Sequence, residues 1–119
     1  MVETLLFPKP RPHHLVRKDR KAERKRVIRA VREVVRRRDV RCRICGKVPT
    51  QGRLEMHEIK PRSALNGSKV PPEAIFNTAN CIMLCSYPCH RDVTEHRLFL
   101  VPTSDDGADG EVLIKQRKE

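Results

Sequence analysis

Two short cysteine pairs are the first features of this chain whose types and spacing imply chemistry. Cys42 and Cys45 stand as Cys-x2-Cys, closed by Gly46, and Cys85 and Cys89 stand as Cys-x3-Cys. Zinc takes four soft or borderline ligands in a tetrahedron, and two cysteines separated by two or three residues can wrap one ion from a single turn. Thirty-nine residues, 46 to 84, separate the halves, more than in a simple zinc ribbon, so a folded segment must fill the gap. The fifth cysteine, Cys81, competes with Cys85 for a ligand position, but its place at the start of the apolar run Cys81–Cys85 suits core packing better. Cys81, Cys85 and Cys89 are spaced four apart, as on one helix face, but Pro88 argues against a helix through Cys89. The structural zinc is therefore expected on Cys42, Cys45, Cys85 and Cys89, with Cys81 free.

A second constellation lies between and just after the cysteines. It runs Leu54-Glu55-Met56-His57-Glu58-Ile59-Lys60-Pro61-Arg62-Ser63, then Asn80 five residues before Cys85, then Cys89-His90. Taken alone, His57 reads as a structural histidine and His90 as a zinc ligand or helix cap; joint occurrence gives them weight. This ordered set resembles the HNH endonuclease family, in particular its four-cysteine-zinc members common in bacteriophages, over about Val40 to Leu98.

The resemblance implies an α+β fold of the ββα-metal, or His-Me finger, type. There a hairpin and a helix grip a catalytic divalent ion while the zinc staples the ends. It implies hydrolysis of DNA phosphodiester bonds, with a histidine deprotonating a water and the metal stabilising the developing charge. By position, His57 corresponds to the first metal ligand, Asn80 to the residue that orders the loop carrying the base, and His90 to the last motif residue and a metal ligand. Glu58 occupies the place of the usual base histidine, and Thr94 stands where a further histidine is often found, with His96 two residues beyond. Two assignments follow. In one, His57 binds metal and Glu58 is the base, although a carboxylate of pKa about 4.3 is a weak one unless burial raises it. In the other, His57 is the base, and Glu58 or Glu55 joins His90 on Mg²⁺ or Mn²⁺, with Zn²⁺ or Ni²⁺ as alternatives. Either way His57, Glu58 and His90 are expected to surround one ion. A degenerate site that binds DNA without cutting is the competing reading. Phage relatives act with DNA-packaging machinery, but no residue here points to that partner.

The elements that must position these groups follow from periodicity. Residues 1–16 carry Pro8, Pro10 and Pro12 among basic residues, which favours an extended arm containing His13-His14 as a surface pair. Residues 17–39 read as an amphipathic helix, with Val27, Ile28, Val31, Val34 and Val35 as an apolar stripe and Asp19 as an N-cap or first-turn acid. Residues 40–103 correspond to the zinc-stapled nuclease core that the resemblance implies. Within it, Leu54 to Ile59 reads as a short strand, Lys60 to Ala79 as a long Pro- and Gly-containing loop, and Arg91 to Arg97 as a short helix. Residues 104–119 supply a turn and a strand, Val112 to Lys115, that pairs with Leu98 to Val101.

Charge then limits the partners. The 119-residue chain carries a formal net charge of +11, and aromatic residues make up only 3%. From Met1 to Cys45 there are 16 Lys/Arg against 5 Asp/Glu, and the remainder is balanced, so the whole excess lies in the first part. A one-sided cationic block suits a polyanion, since neutralising phosphates releases condensed counterions. Arg24, Lys25, Arg29, Arg32, Arg36, Arg37 and Arg62 are the expected DNA-phosphate contacts, with weak sequence specificity. The scarcity of aromatics weakens an RNA-binding reading, which relies on base stacking. No apolar run reaches the roughly 18–20 residues that span a bilayer. The expected protein is soluble and intracellular, with reduced cysteines. Its oligomeric state is not legible from the residues.

Overall fold

A computed structural model describes residues 12–65 and 69–117. Of the expected proline-rich arm, residues 1–16, positions 1–11 lie outside the described residues. The chain is α+β: one long helix and two small antiparallel two-stranded sheets.

Helix α1 runs His13–Asp39, four residues longer at its start than periodicity predicts. Pro12 stands at the N-cap position and its carbonyl accepts the Leu15 and Val16 amides at 3.0 and 3.2 Å. Nothing after Pro12 breaks the helix, so His13 and His14 are exposed residues of the helix and not of an extended arm. Asp19 therefore lies within the helix and is not its cap; the first turn holds no acid. Val35 is fully buried, and Val27, Ile28 and Val31 pack around the same cluster with Ile75, Phe76, Cys81 and Met83. Val34 departs from the expected stripe: it is 51% exposed, at the edge of the buried arc.

Strand β1 (Leu54–Glu58) pairs antiparallel with β2 (Cys81–Cys85), with Leu54 opposite Cys85, His57 opposite Ile82 and Glu58 opposite Cys81. Strand β2 is buried throughout because it is covered on both faces. Its Cys81 and Met83 face α1, while Ile82 and Leu84 belong to a second cluster with Cys42, Cys85 and Cys89. An irregular turn, Ser86–His90, leads into helix α2 (Arg91–Thr94), shorter than the predicted Arg91–Arg97. It stops there because His96 adopts a left-handed φ of 59°. Strands β3 (Leu98–Pro102) and β4 (Val112–Gln116) form the expected terminal hairpin, with Leu100 opposite Ile114. Among the described residues between β1 and β2 there are two single helical turns, Arg62–Leu65 and Pro72–Ala74. Among the described residues, no helix is long and apolar enough to cross a membrane.

A polar junction that sequence reading missed ties these parts together. Asp39, at the end of α1, is 8% exposed. It accepts from Arg38 Nε at 2.7 Å, Arg43 at 2.9 Å and the Met83 amide at 2.9 Å. Arg38 also donates to the carbonyls of Thr78 and Cys81, and Arg43 to those of Ala108 and Gly110. Burial opposes the charge of Asp39, but the Arg38, Met83 and Arg43 donors outweigh it and hold the carboxyl below the usual aspartate range. A carboxylate at a helix C-terminus is opposed by the macrodipole unless paired, and that conflict was the available signal.

Candidate metal and histidine sites

The four sulfur atoms of Cys42, Cys45, Cys85 and Cys89 lie within 4.8 Å of one another. Each comes from a locally fixed turn. The first turn is closed by the Gly46 amide on the Cys42 carbonyl at 3.0 Å and by the Cys42 amide on the Lys47 carbonyl at 2.9 Å. Gly46 takes φ 80°, a conformation that favours glycine. The Arg43 amide donates to the Met83 carbonyl at 3.0 Å, which docks this turn on β2. The second half begins where β2 ends at Cys85 and closes on the irregular turn bearing Cys89. Lys47 Nζ spans the two halves to the Tyr87 carbonyl at 3.2 Å.

The Cys45 and Cys85 sulfurs are 3.6 Å apart. A tetrahedron with Zn–S bonds of about 2.3 Å has edges of roughly 3.8 Å, so the spacing fits a shared ion. Cys42, Cys85 and Cys89 are buried and Cys45 is exposed. Burial works against a Cys42 thiolate, but the amides of Cys45, Cys85 and Ile44 point at its sulfur and bring its pKa down to about 7. Burial pushes the Cys85 and Cys89 thiols up. The cluster can therefore hold a metal ion such as zinc. Cys81 is elsewhere: its sulfur faces the Ile75 carbonyl in the α1 cluster, and burial raises its thiol to about 11. This is the packing role expected of it.

The histidines meet on the opposite side of β1 from α1. Strand alternation places Glu55 and His57 on the face shared with Leu84 and Ile82. The His57 and His90 rings are 5.2 Å apart in a T-shaped arrangement. His90 Nδ1 donates to Glu55 Oε2 at 2.6 Å. This bond orients the His90 ring and turns its Nε2 away from Glu55. Burial, with the neighbouring His90 ring as a lesser cause, lowers the pKa of His57 to about 4, so its imidazole is neutral at pH 7. Of the two carboxylates expected to join His90, Glu55 is the one beside it, whereas Glu58 alternates onto the face of Cys81. The signal was present in the sequence, because a strand residue shares its face with its neighbour two positions away. Among the described residues, no histidine–carboxylate set is drawn together as tightly as the four cysteines.

Asn80 occupies the place expected of a loop-ordering residue. Its Oδ1 accepts the Lys60 amide at 2.8 Å, and its Nδ2 donates to the carbonyls of Lys60 at 3.0 Å and Ile75 at 2.8 Å. Its own carbonyl accepts the Ile59 amide at 2.8 Å. The chain leaving His57 and Glu58 is thus clamped to the start of β2. Beyond it, His57 and Glu58 line a cleft of about 400 Å³ with Thr94, His96 and Phe99.

The expected phosphate contacts are mostly on the solvent side of α1. Lys25, Arg29, Arg32, Arg36 and Arg37 are exposed, as is Arg62, whereas Arg24 is half-buried. Lys25, Arg29, Arg32 and Arg36 recur every three or four residues and form one ridge along the helix. Arg24 belongs to another face and lines an open groove with Arg17, Arg20, Lys21 and Lys69. Arg38 and Arg43 are withdrawn from any such surface by Asp39.

Comparisons with protein-family models, with curated proteins and with solved structures found no match.

Proposed function

We propose that this chain is a metal-dependent endonuclease of the HNH type, hydrolysing DNA phosphodiester bonds, with zinc as the structural ion on its four cysteines. The observation that carries the reading is the pairing of His57 with His90 across a β–β–helix unit, with Glu55 on His90 and Asn80 clamping the adjoining loop. The family resemblance had pointed to His57, Asn80 and His90, with Glu55 as one of two carboxylates expected beside His90.

In this reading His57 takes the proton from the attacking water. Its neutral state at pH 7 leaves it able to accept, and the negative phosphate of a bound strand would raise its low proton affinity. Glu55 orients His90, whose Nε2 is offered to a divalent ion. Mg²⁺ commonly binds through few protein ligands, with waters and substrate phosphate completing its shell, so a sparse protein set is compatible with it. When bound, the cation supplies charge stabilisation at the phosphate. The ridge of Lys25, Arg29, Arg32 and Arg36 neutralises backbone phosphates and holds the duplex. DNA is the partner this proposal requires, and the interior of a cell is where it would meet it.

One observation favours a second reading, a zinc module that binds DNA without cutting it. Glu58 stands where the family has its base and lies on the other face of β1 from His57. Supercoiled plasmid separates the two. The nuclease converts it to nicked or linear form with Mg²⁺ or Mn²⁺ and not with EDTA. The binding module shifts its mobility, with salt-dependent affinity, and leaves it intact.

A further inference from the structure

His96 sits where the backbone calls for glycine. Helix α2 ends in a paired-bond cap: the His96 amide donates to the Val93 carbonyl at 3.1 Å and the Arg97 amide to the Asp92 carbonyl at 2.8 Å. This is the Schellman arrangement, whose left-handed position is usually filled by glycine and sometimes by asparagine. Here a histidine holds it at φ 59°. A side chain with a Cβ resists that conformation, and such strain clusters where the side chain has a task.

The surroundings indicate the task. The His96 ring is exposed and stacks on Phe99, with centroids 6.2 Å apart and planes 21° from parallel. Both residues line the cleft that contains His57 and Glu58. Stacking engages the ring's face and leaves its N–H edge for a partner. Apart from the two histidines and Glu58, the cleft's polar lining is Thr94, whose hydroxyl donates to the His90 carbonyl at 2.8 Å.

We propose that His96 is a substrate-positioning residue that donates an N–H hydrogen bond to a phosphate of the DNA strand entering the His57 cleft. This rests on the nuclease reading and adds to it the residue that fixes the strand beside the histidines. It also explains why glycine is absent: glycine would relieve the backbone and forfeit the donor.

The test uses the full chain with its zinc, titrated against a fluorescently labelled 20-base-pair duplex without added Mg²⁺, alongside thermal melting. His96→Gly should melt at the wild-type temperature or higher and bind the duplex about tenfold more weakly, the worth of one hydrogen bond to a charged group. His96→Asn, which tolerates the left-handed position and keeps a donor, should melt like His96→Gly and recover part of the affinity. Wild-type affinity in His96→Gly would overturn the proposal and leave the nuclease reading standing. A lower melting temperature in both variants would also overturn it, because the ring would then be a structural prop. A wild-type protein that binds no duplex would remove the nuclease reading and His96 with it.

Discussion

Replacing Asn80 with alanine should loosen one loop in a way that can be read atom by atom. The side chain makes three hydrogen bonds, two to the Lys60 backbone and one to the Ile75 carbonyl. Each is worth about 1 kcal/mol net. The Lys60 groups are exposed and regain water when released, whereas Ile75 is buried, at 2% exposure. The expected loss is thus about 2 kcal/mol, which for this length lowers the melting temperature by about 8 °C. Hydrogen exchange supplies the sharper assay. The Lys60 amide loses its acceptor in Asn80→Ala and should exchange faster. The Ile59 amide bonds to the backbone carbonyl of residue 80, which the substitution keeps, so its protection should change far less. If the nuclease reading holds, displacement of the loop beside His57 lowers cleavage by about a hundredfold. Unchanged Lys60 protection, or equal loss at Ile59 and Lys60, would refute the clamp.

The remaining predictions concern the parts that hold the site. Metal analysis of the folded protein should find one zinc per chain, and chelation should loosen or unfold it, because structural zinc contributes about 10–16 kcal/mol of apparent binding free energy against a typical fold stability of about 5–15 kcal/mol. Asp39→Ala should cost about 3 kcal/mol in denaturant unfolding at constant zinc, the low end for a broken buried pair, because Arg38 and Arg43 keep their carbonyl acceptors. The same carboxyl sets an acid limb. Its folded pKa lies below the unfolded value of about 3.9, so its stabilising contribution is complete above that pH and fades as pH falls through the folded value, a limb that Asp39→Asn should lack. Gly107→Ala should destabilise by about 2 kcal/mol or more, since φ is 59° and the added Cβ would lie 2.2 Å from the Ala79 carbonyl oxygen; circular-dichroism melts would measure it.

Much of this architecture follows from short-range pattern. The cysteine pairs, β1, the terminal hairpin and the buried arc of α1 are set by spacing and alternation, which sequence displays directly. What escaped depends on contacts distant along the chain. The Asp39 junction joins the end of α1 to β2 and to the turn at Ala108, and no local period encodes it. The role of Asn80 was legible as a motif position, but its hold on Ile75 required the fold. Glu55 was one of two carboxylates expected beside His90. The motif drew weight to Glu58 next to His57, whereas strand alternation assigns the shared face to the residue two before it. Helix α1 starts early because Pro12 ends the restraint that Pro8, Pro10 and Pro12 impose. Helix α2 ends early because of a backbone conformation at His96 that residue type disfavours.

The central claim is that His57 and His90 serve phosphodiester hydrolysis. Single-turnover cleavage of a labelled duplex tests it most directly, with wild-type and His57→Ala proteins each shown to carry one zinc. The wild type should cleave in a Mg²⁺- or Mn²⁺-dependent way, with cleavage abolished by EDTA and reduced at least a hundredfold in His57→Ala. An intact duplex under every divalent ion, or equal cleavage by the two proteins, would contradict it.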